Sequence, residues 1–412
     1  MEINLITFTS ELGKQDSVLK PHEAMLNEIE KYFTVRYVYY RNLDAIDNDE
    51  FKVIFIATGG VEKLVVQYFE QLPHPVLLLT DGLQNSLPAA LEIATWIRSR
   101  GMKFQIIHAD PRSVVKQLLI YHNNFQAQKK LRNKRIGVIG TPSSWLISSN
   151  VDYLLAKRRW GTDFIDIPLE AVFQNYNKIT DDDIGEAASV FAGQALACRE
   201  ATAEDLLKAM RLYKAIKMIC EKEQLDSFTL NCFGLIDITG TTGCLALSLL
   251  NNEGILAGCE GDLQAIFTMN AAYAVTGETG FMANPSLISE KTNEIVLAHC
   301  TVATKLTEKY IIRSHFETLS GIGIQGIFPS GGEITVVKCG GECLDKYFVS
   351  SGVLVENTNY INSCRTQVRI KLNNPVSYFL RNPIGNHHIM ILGNHEKILN
   401  EFFQSNSCKR SE

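Results

Sequence analysis

The chain reads as an α/β protein: two doubly wound parallel-sheet domains followed by a C-terminal antiparallel β-barrel domain. Three observations predict this. Over residues 1–130 short apolar runs alternate with amphipathic helical patterns, and the alternation restarts over residues 131–292 after a polar break. Over residues 293–412 strand-like runs follow one another across Gly-rich turns, with a helical pattern only at the end.

In the first part, Ile3-Thr7, Arg36-Tyr40, Val53-Ala57, Val76-Thr80 and Phe104-His108 have the length and apolar content of strands. Glu23-Tyr32, Val61-Gln71 and Leu87-Arg100 carry helical spacing between them. Strands alternating with helices imply a parallel sheet covered on both faces. Gln126-Lys134 is polar and basic, a solvated helix end running into a linker. Beyond it, Arg135-Gly140, Asp163-Ile167, Phe228-Asp237 and Ile255-Gly261 read as strands, with helices at Ala203-Glu221 and Leu263-Thr276. No G-x-G-x-x-G follows the first of these strands, so this is not a dinucleotide fingerprint. In the last part the strands are Ile295-His299, Tyr310-Ser314, Ile322-Phe328, Ile334-Lys338, Tyr347-Val349, Val353-Asn357, Gln367-Leu372, Tyr378-Leu380 and His388-Leu392, closed by a helix at Glu396-Gln404. Such succession predicts an antiparallel barrel.

Bulk properties narrow the function. With 46% hydrophobic and 21% charged residues, the composition is that of a soluble globular protein. A net charge of -5 argues against nucleic acid as a partner, because nucleic-acid footprints are basic. No run approaches the roughly 18 apolar residues of a membrane span. The N-terminal Met-Glu-Ile-Asn-Leu-Ile-Thr-Phe opens on a strand pattern and lacks the features of a secretory leader. The ten cysteines have no paired spacing, so they read as reduced thiols of a cytoplasmic protein.

Several residues are candidates for chemistry. Gly258-Cys-Glu-Gly-Asp262 ends a strand of the second α/β part, where open α/β sheets bind ligands. Two carboxylates there are costly unless paired, solvated or bound to a cation. The plain reading of Asp262 is the N-cap of the following helix, and that of Glu260 a solvated neighbour. His299 lies late in a strand, as a ligand or as a hydrogen-bonded core histidine. His315 and Glu317 share a face of an extended segment, and Arg365 is placed to orient a hydroxylated or anionic ligand or to pair with a carboxylate at the rim. His387 and His388 stand side by side before an apolar strand, where neighbouring side chains point to opposite faces. They therefore serve different environments. A carboxylate from an α/β part followed by histidines from a β part describes a mixed oxygen and nitrogen site, suited to manganese or magnesium more than zinc.

At these residues the sequence resembles the L-fucose isomerase and L-arabinose isomerase superfamily. The matching stretches are Gly137-Val-Ile-Gly-Thr-Pro-Ser-Ser-Trp-Leu146, Gly240-Thr-Thr-Gly-Cys-Leu-Ala-Leu-Ser248, Ala257-Gly-Cys-Glu-Gly-Asp-Leu-Gln-Ala265, Phe281-Met-Ala-Asn-Pro285, Leu297-Ala-His-Cys300, His315-Phe-Glu317, Cys364-Arg-Thr-Gln-Val368 and Gly385-Asn-His-His388. They fall within Arg135 to Leu392; the first domain is similar mainly in pattern. The resemblance implies two Rossmann-like α/β domains and a β-barrel domain. It also implies a homo-oligomer, trimer or hexamer, in which a neighbour's N-terminal domain covers the active site.

The activity so implied is aldose–ketose interconversion of a small-molecule sugar, with a divalent metal, Mn2+ before Mg2+. By position Glu260 matches the first catalytic, metal-binding glutamate, and His299 the histidine after the second acid of the arabinose enzymes. His387, by its Gly-Asn-His context, matches the C-terminal ligand in preference to His388. Trp145, His299, His315, Arg365 and His388 are the residues expected to shape the sugar pocket. The sequence departs from the family where a second carboxylate follows Phe-Met: here Asn284 stands as the expected weak ligand and catalytic position. An amide oxygen ligates a hard cation but carries no charge and transfers no proton. The alternatives are a sugar-binding relative without catalysis and an epimerase acting on a modified sugar.

Overall fold

The computed structural model of the chain describes residues 1–10, 18–45, 47 and 49–412. It divides into two compact units, Met1–Phe125 and Gln126–Glu412. The first is a five-stranded parallel sheet in the order Thr34–Tyr39, Glu2–Phe8, Lys52–Ile56, Val76–Leu79, Phe104–Ile107. Pleating sends alternate residues to opposite faces. Ile6, Ile54, Ile56 and Leu78 build one core, while Leu5, Val53, Phe55, Leu77 and Leu79 build the other. Continuous apolar strands follow directly from burial on both faces. The turn after Val76–Leu79 is an ordinary β-α connection, in which Asp81 meets the buried His22 at 2.8 Å.

The second unit joins a parallel sheet to a closed barrel. The sheet runs Leu256–Cys259, Ser227–Leu230, Arg135–Ile139, Asp163–Ile167. The barrel has six antiparallel strands in the order Glu333–Gly340, His388–Leu392, Phe281–Ser289, Glu294–His299, Thr366–Leu372, Lys346–Asn357, and the last pairs back to the first. One continuous apolar core runs through both. Between them lies the helix Leu263–Thr276, buried on nearly every side. A helix apolar all round has no solvent face to offer, which is why it fills this position. Its Phe267 packs on Trp160, which also meets Phe402 and Phe403 of the C-terminal helix Glu396–Ser405.

Several elements differ from the sequence expectation, each for a local reason. The apolar run Phe228-Asp237 is half strand and half helix. Asn231 ends the strand by accepting from the Gly234 amide at 3.1 Å, and the helix Phe233–Thr239 follows. Apolar runs of this length do not separate strand from buried helix. Tyr347-Val349 and Val353-Asn357 are one strand, Lys346–Asn357. The glycine between them is no turn: a Cβ on Gly352 would lie 2.4 Å from the Lys371 carbonyl of the neighbouring strand. Tyr378-Leu380 forms a single helical turn, Tyr378–Arg381. The runs at Tyr310 and Ile322 pair outside the barrel, in a three-stranded sheet with Ala197–Cys198. The barrel opens with Phe281–Ser289, ahead of residue 293, in a strand whose Pro285 marks a register shift.

The turn that ends Leu256–Cys259 is closely packed. Glu260 and Gly261 both take positive φ (63° and 71°), and the Asp262 amide bonds the Cys259 carbonyl at 3.1 Å. Two successive left-handed residues are the mark of a type I′ turn. A Cβ at Gly261 would lie 2.7 Å from the Pro142 Cα, whereas one at Gly254, φ 90°, meets nothing within 4 Å. Gly254→Ala is therefore expected to cost about 1 kcal/mol from backbone strain alone. Gly261→Ala adds a backbone clash and is expected to cost about 2–4 kcal/mol. Urea unfolding of the pair checks this; equal losses would mean that the Pro142 contact yields freely.

Candidate active site

The Cys259–Asp262 turn presents Glu260 to the barrel. The loop after Arg135–Ile139 packs on it: the Ser143 amide bonds the Glu260 carbonyl at 2.9 Å, and the Trp145 indole Nε1–H donates to Glu260 Oε2 at 2.7 Å. Glu260 Oε1 faces two imidazoles, His387 Nε2 at 3.5 Å and His299 Nε2 at 3.9 Å. His299 ends the strand Glu294–His299, and His387 immediately precedes His388–Leu392. Both rings are held from behind. His387 Nδ1 meets Asp262 Oδ2 at 2.9 Å, and His299 Nδ1 meets Thr301 Oγ1 at 3.0 Å. Both Nε2 atoms are buried without a hydrogen-bond partner.

This arrangement fits a metal ion. Glu260, His299 and His387 each offer a ligand atom, all within 4.8 Å of one another. Metal-binding histidines usually donate their second ring N–H to an acceptor such as a carboxylate, which fixes the tautomer. Buried polar atoms without partners are otherwise costly. Behind the rings, Asp262 also caps the helix Leu263–Thr276 through the Ala265 amide (2.8 Å), and the fully buried Lys338 Nζ lies 3.8 Å from its Oδ2.

Charge follows geometry. Burial opposes ionisation of Glu260, but His387, His299 and Trp145 outweigh it and hold the carboxyl near a pKa of about 2. Asp262 is likewise held at about 2, against its burial, chiefly by Lys338 and His387. His387 is pushed down by burial, yet its bond to Asp262 and the nearby Glu260 carboxylate raise it to about 9. His299 falls to about 3, from burial and then from the neighbouring His387. Two adjacent histidines thus have opposite proton affinities.

A cleft of about 460 Å³, its open mouth included, opens from this cluster. Glu260, Asn284, His299, His315 and Glu317 line it, together with Phe233 and five cysteines. His315 is braced by Thr318 Oγ1 at 3.1 Å, and its ring stands against Phe233, which also meets Trp145 edge-on. Burial, and then Arg365, lower its pKa. Arg365 itself holds the Ser314 carbonyl (2.8 Å) and hydroxyl (3.0 Å), bracing the His315 loop and not lining the cleft. Asn284 faces the cleft, but its Oδ1 accepts from Asn386 Nδ2 at 2.7 Å. His388 does not join the site. It points to the opposite face, where Nε2 meets Tyr378 Oη at 3.0 Å and Nδ1 the Asn386 carbonyl at 2.8 Å.

Sequence reasoning did not single out Phe233, Lys338 or the thiol floor. Phe233 was hidden in an apolar run, and Lys338 sits in a barrel strand among aliphatic residues. Cys232 and Cys259, 27 positions apart, bring their sulfurs to 2.9 Å as free thiols. Sequence spacing cannot report such a pairing.

The chain is similar to curated proteins whose names are those of sugar isomerases. The sulfoquinovose isomerase of Priestia aryabhattai is 23% identical over 270 residues, 62% of this chain and 59% of that protein. The sulfoquinovose isomerase of Clostridium sp. (strain MSTE9) is 24% identical over 255 residues, 57% of each. The matched region thus covers under three-fifths of these relatives' length. No protein-family model matches the chain.

The two faces of the His387–His388 step predict separable losses. His388→Ala breaks two buried contacts and empties a core position, so stability is expected to fall by about 2–4 kcal/mol. Trp145→Phe, at a half-exposed position, keeps an aromatic ring and loses one bond to the Glu260 carboxylate, so it is expected to cost about 1–2 kcal/mol. Denaturant midpoints with unchanged slopes decide both; a neutral His388→Ala would remove it from the core.

Proposed function

We propose that the chain is a metal-dependent sugar isomerase, interconverting an aldose and a ketose through a cis-enediol. The observation that carries this reading is the convergence of two buried, unpartnered imidazole nitrogens on one ionised carboxylate. The similarity to sulfoquinovose isomerases supports the sugar-isomerase class. Glu260, His299 and His387 would hold the divalent cation, Mn2+ before Mg2+. When bound, that ion supplies Lewis-acid polarisation of the sugar carbonyl and of its neighbouring hydroxyl.

The chain's own residues do the rest. Moving a carbonyl between C1 and C2 requires removing the proton beside it and delivering one to the neighbouring carbon. Glu260, kept ionised by its surroundings, takes the first proton. The expected second carboxylate is Asn284, which transfers none. His315 lines the cleft with its Nδ1 fixed by Thr318, and it serves as the second proton carrier. Phe233 offers an apolar face to the sugar ring, and Trp145, which does not line the cleft, braces Phe233 edge-on and Glu260 through its indole N–H. We further propose a cytoplasmic homo-oligomer, trimer or hexamer, as in the superfamily that the sequence resembles. No single helix among the described residues is long and apolar enough to cross a membrane.

One observation favours the second reading, a sugar-binding relative without turnover: Asn284 is engaged by Asn386 and cannot act as an acid. The test is manganese binding by calorimetry, with aldoses and ketoses screened in deuterated water. The expected result is one ion per chain, lost in Glu260→Ala, His299→Ala and His387→Ala, and solvent deuterium at the exchanging carbon. Turnover falls about 10²–10⁴-fold in Glu260→Gln and vanishes with chelator. Metal and sugar binding without exchange would leave the binding protein; no metal binding in the wild type would overturn both the site and the isomerase. In His315→Gln, metal affinity is expected to persist while exchange drops by about 10²-fold or more. Unchanged exchange would remove His315 from proton transfer.

A further inference from the structure

A second cleft opens in the same unit, on the other side of the loop that carries His387. It encloses about 1250 Å³ including its open mouth. One wall is basic. The short strand Lys409–Arg410 pairs in parallel with Lys346–Asn357, and Lys346 and Lys409 are direct register partners. Register partners send their side chains to the same face, and like charges so placed repel. Both lysines line the cleft, and neither ammonium group has an ion-pair or hydrogen-bond partner among the described residues. Arg410, beside them, is already held by Asn400 at 3.2 Å and the Val349 carbonyl at 3.3 Å, with Glu396 at 3.5 Å. Glu412, the acidic residue among the described residues of the lining, has its Oε1 at 3.9 Å from Arg410 Nε, and its main-chain oxygen accepts from Asn382 Nδ2 at 2.7 Å. The two lysines are therefore a pair of uncompensated cations in a concave surface.

The lining also holds an acceptor. Gln264 is fully buried, yet it lines this cleft. Its Nε2 donates to the Ser148 and Asn150 carbonyls at 2.9 and 3.2 Å, which fixes the amide's orientation. Its Oε1 is left buried without a partner. Such an oxygen is costly unless a donor reaches it. Gly385, φ 110°, forms part of the lining, where its missing side chain leaves room beside Gln264.

Two uncompensated cations and a buried, unpartnered acceptor in the lining of one cleft are the complement of a polyol bearing an anionic group. We propose that this cleft is a binding site for a phosphorylated sugar, with the phosphate on Lys346 and Lys409 and a hydroxyl on Gln264 Oε1. A dianionic phosphate answers two adjacent ammonium groups, and a hydroxyl supplies the donor that Gln264 lacks. The site is separate from the candidate active cleft but borders it through the chain. Gln264 lies two residues beyond Asp262, and Gly385 two residues before His387.

The experiment is calorimetric titration of the full chain at low salt with glucose 6-phosphate, inorganic phosphate and glucose. The expected result is saturable binding of glucose 6-phosphate, at least tenfold tighter than either part alone. Lys346→Gln/Lys409→Gln, altered only at exposed side chains, should weaken it at least tenfold. Gln264→Leu should reduce its affinity to that of inorganic phosphate. Glu260→Gln should bind it as the wild type does, whether or not the chain is an isomerase. No saturable binding, or binding indifferent to the lysines, would overturn the proposal. Loss in Glu260→Gln would also overturn it, by moving the ligand to the active cleft. Inorganic phosphate binding as tightly would overturn the sugar-phosphate assignment and leave an anion site.

Discussion

The structure of the second unit turns on one buried contact, the 2.9 Å bond between His387 Nδ1 and Asp262 Oδ2. Both side chains are fully buried. Asp262 belongs to the start of the central helix, His387 to the entrance of a barrel strand. An ionised carboxylate in an apolar core is tolerated only when its charge and its lone pairs are answered. Here the helix amide answers one oxygen, and the imidazole and Lys338 answer the other. The same contact that makes the carboxylate tolerable turns the imidazole so that its Nε2 faces Glu260. Fold and site are thus satisfied by one set of atoms.

Much of this was legible in the sequence because it depends on local pattern. Alternating strand and helix, the change of texture toward the C-terminus and the Asp262 cap are all near-neighbour effects. The division of labour between His387 and His388 follows from the two-residue period of a strand. What escaped was long-range. Nothing in the sequence says that Lys338 rises beneath Asp262, or that Cys232 and Cys259 meet. Nor does it say that Asn386, ahead of the neighbouring strand, engages Asn284. The serine and glycine run before Val353 reads as a turn because Gly352 is ordinarily a breaker. Its real reason is the approach of the neighbouring strand.

The cleft also has an unusual material. Beneath an oxygen and nitrogen cluster lies a floor of thiols, Cys232, Cys244, Cys259, Cys300 and Cys364, none disulfide-bonded. Burial pushes the Cys244 thiol well up, and the adjoining Cys232 sulfur together with burial does the same to Cys259, which keeps both protonated. Protonated thiols are poor metal ligands and behave as small apolar groups. Cys244 and Cys259 therefore face the cleft as small apolar groups, whereas the hydrogen bond from Cys364 lowers the Cys300 thiol.

The left-handed backbone of Glu260 bears on how such a chain changes under drift. A type I′ turn favours asparagine, aspartate or glycine at its first central position, and glutamate there carries strain. Selection for folding alone would let this position slide toward the turn's own preferences. Asp262 is different, because helix capping and the Lys338 counter-charge retain it whether or not any chemistry survives. Across descendants of this chain, persistence of Asp262 would report on the fold, and persistence of Glu260 would report on the ligand.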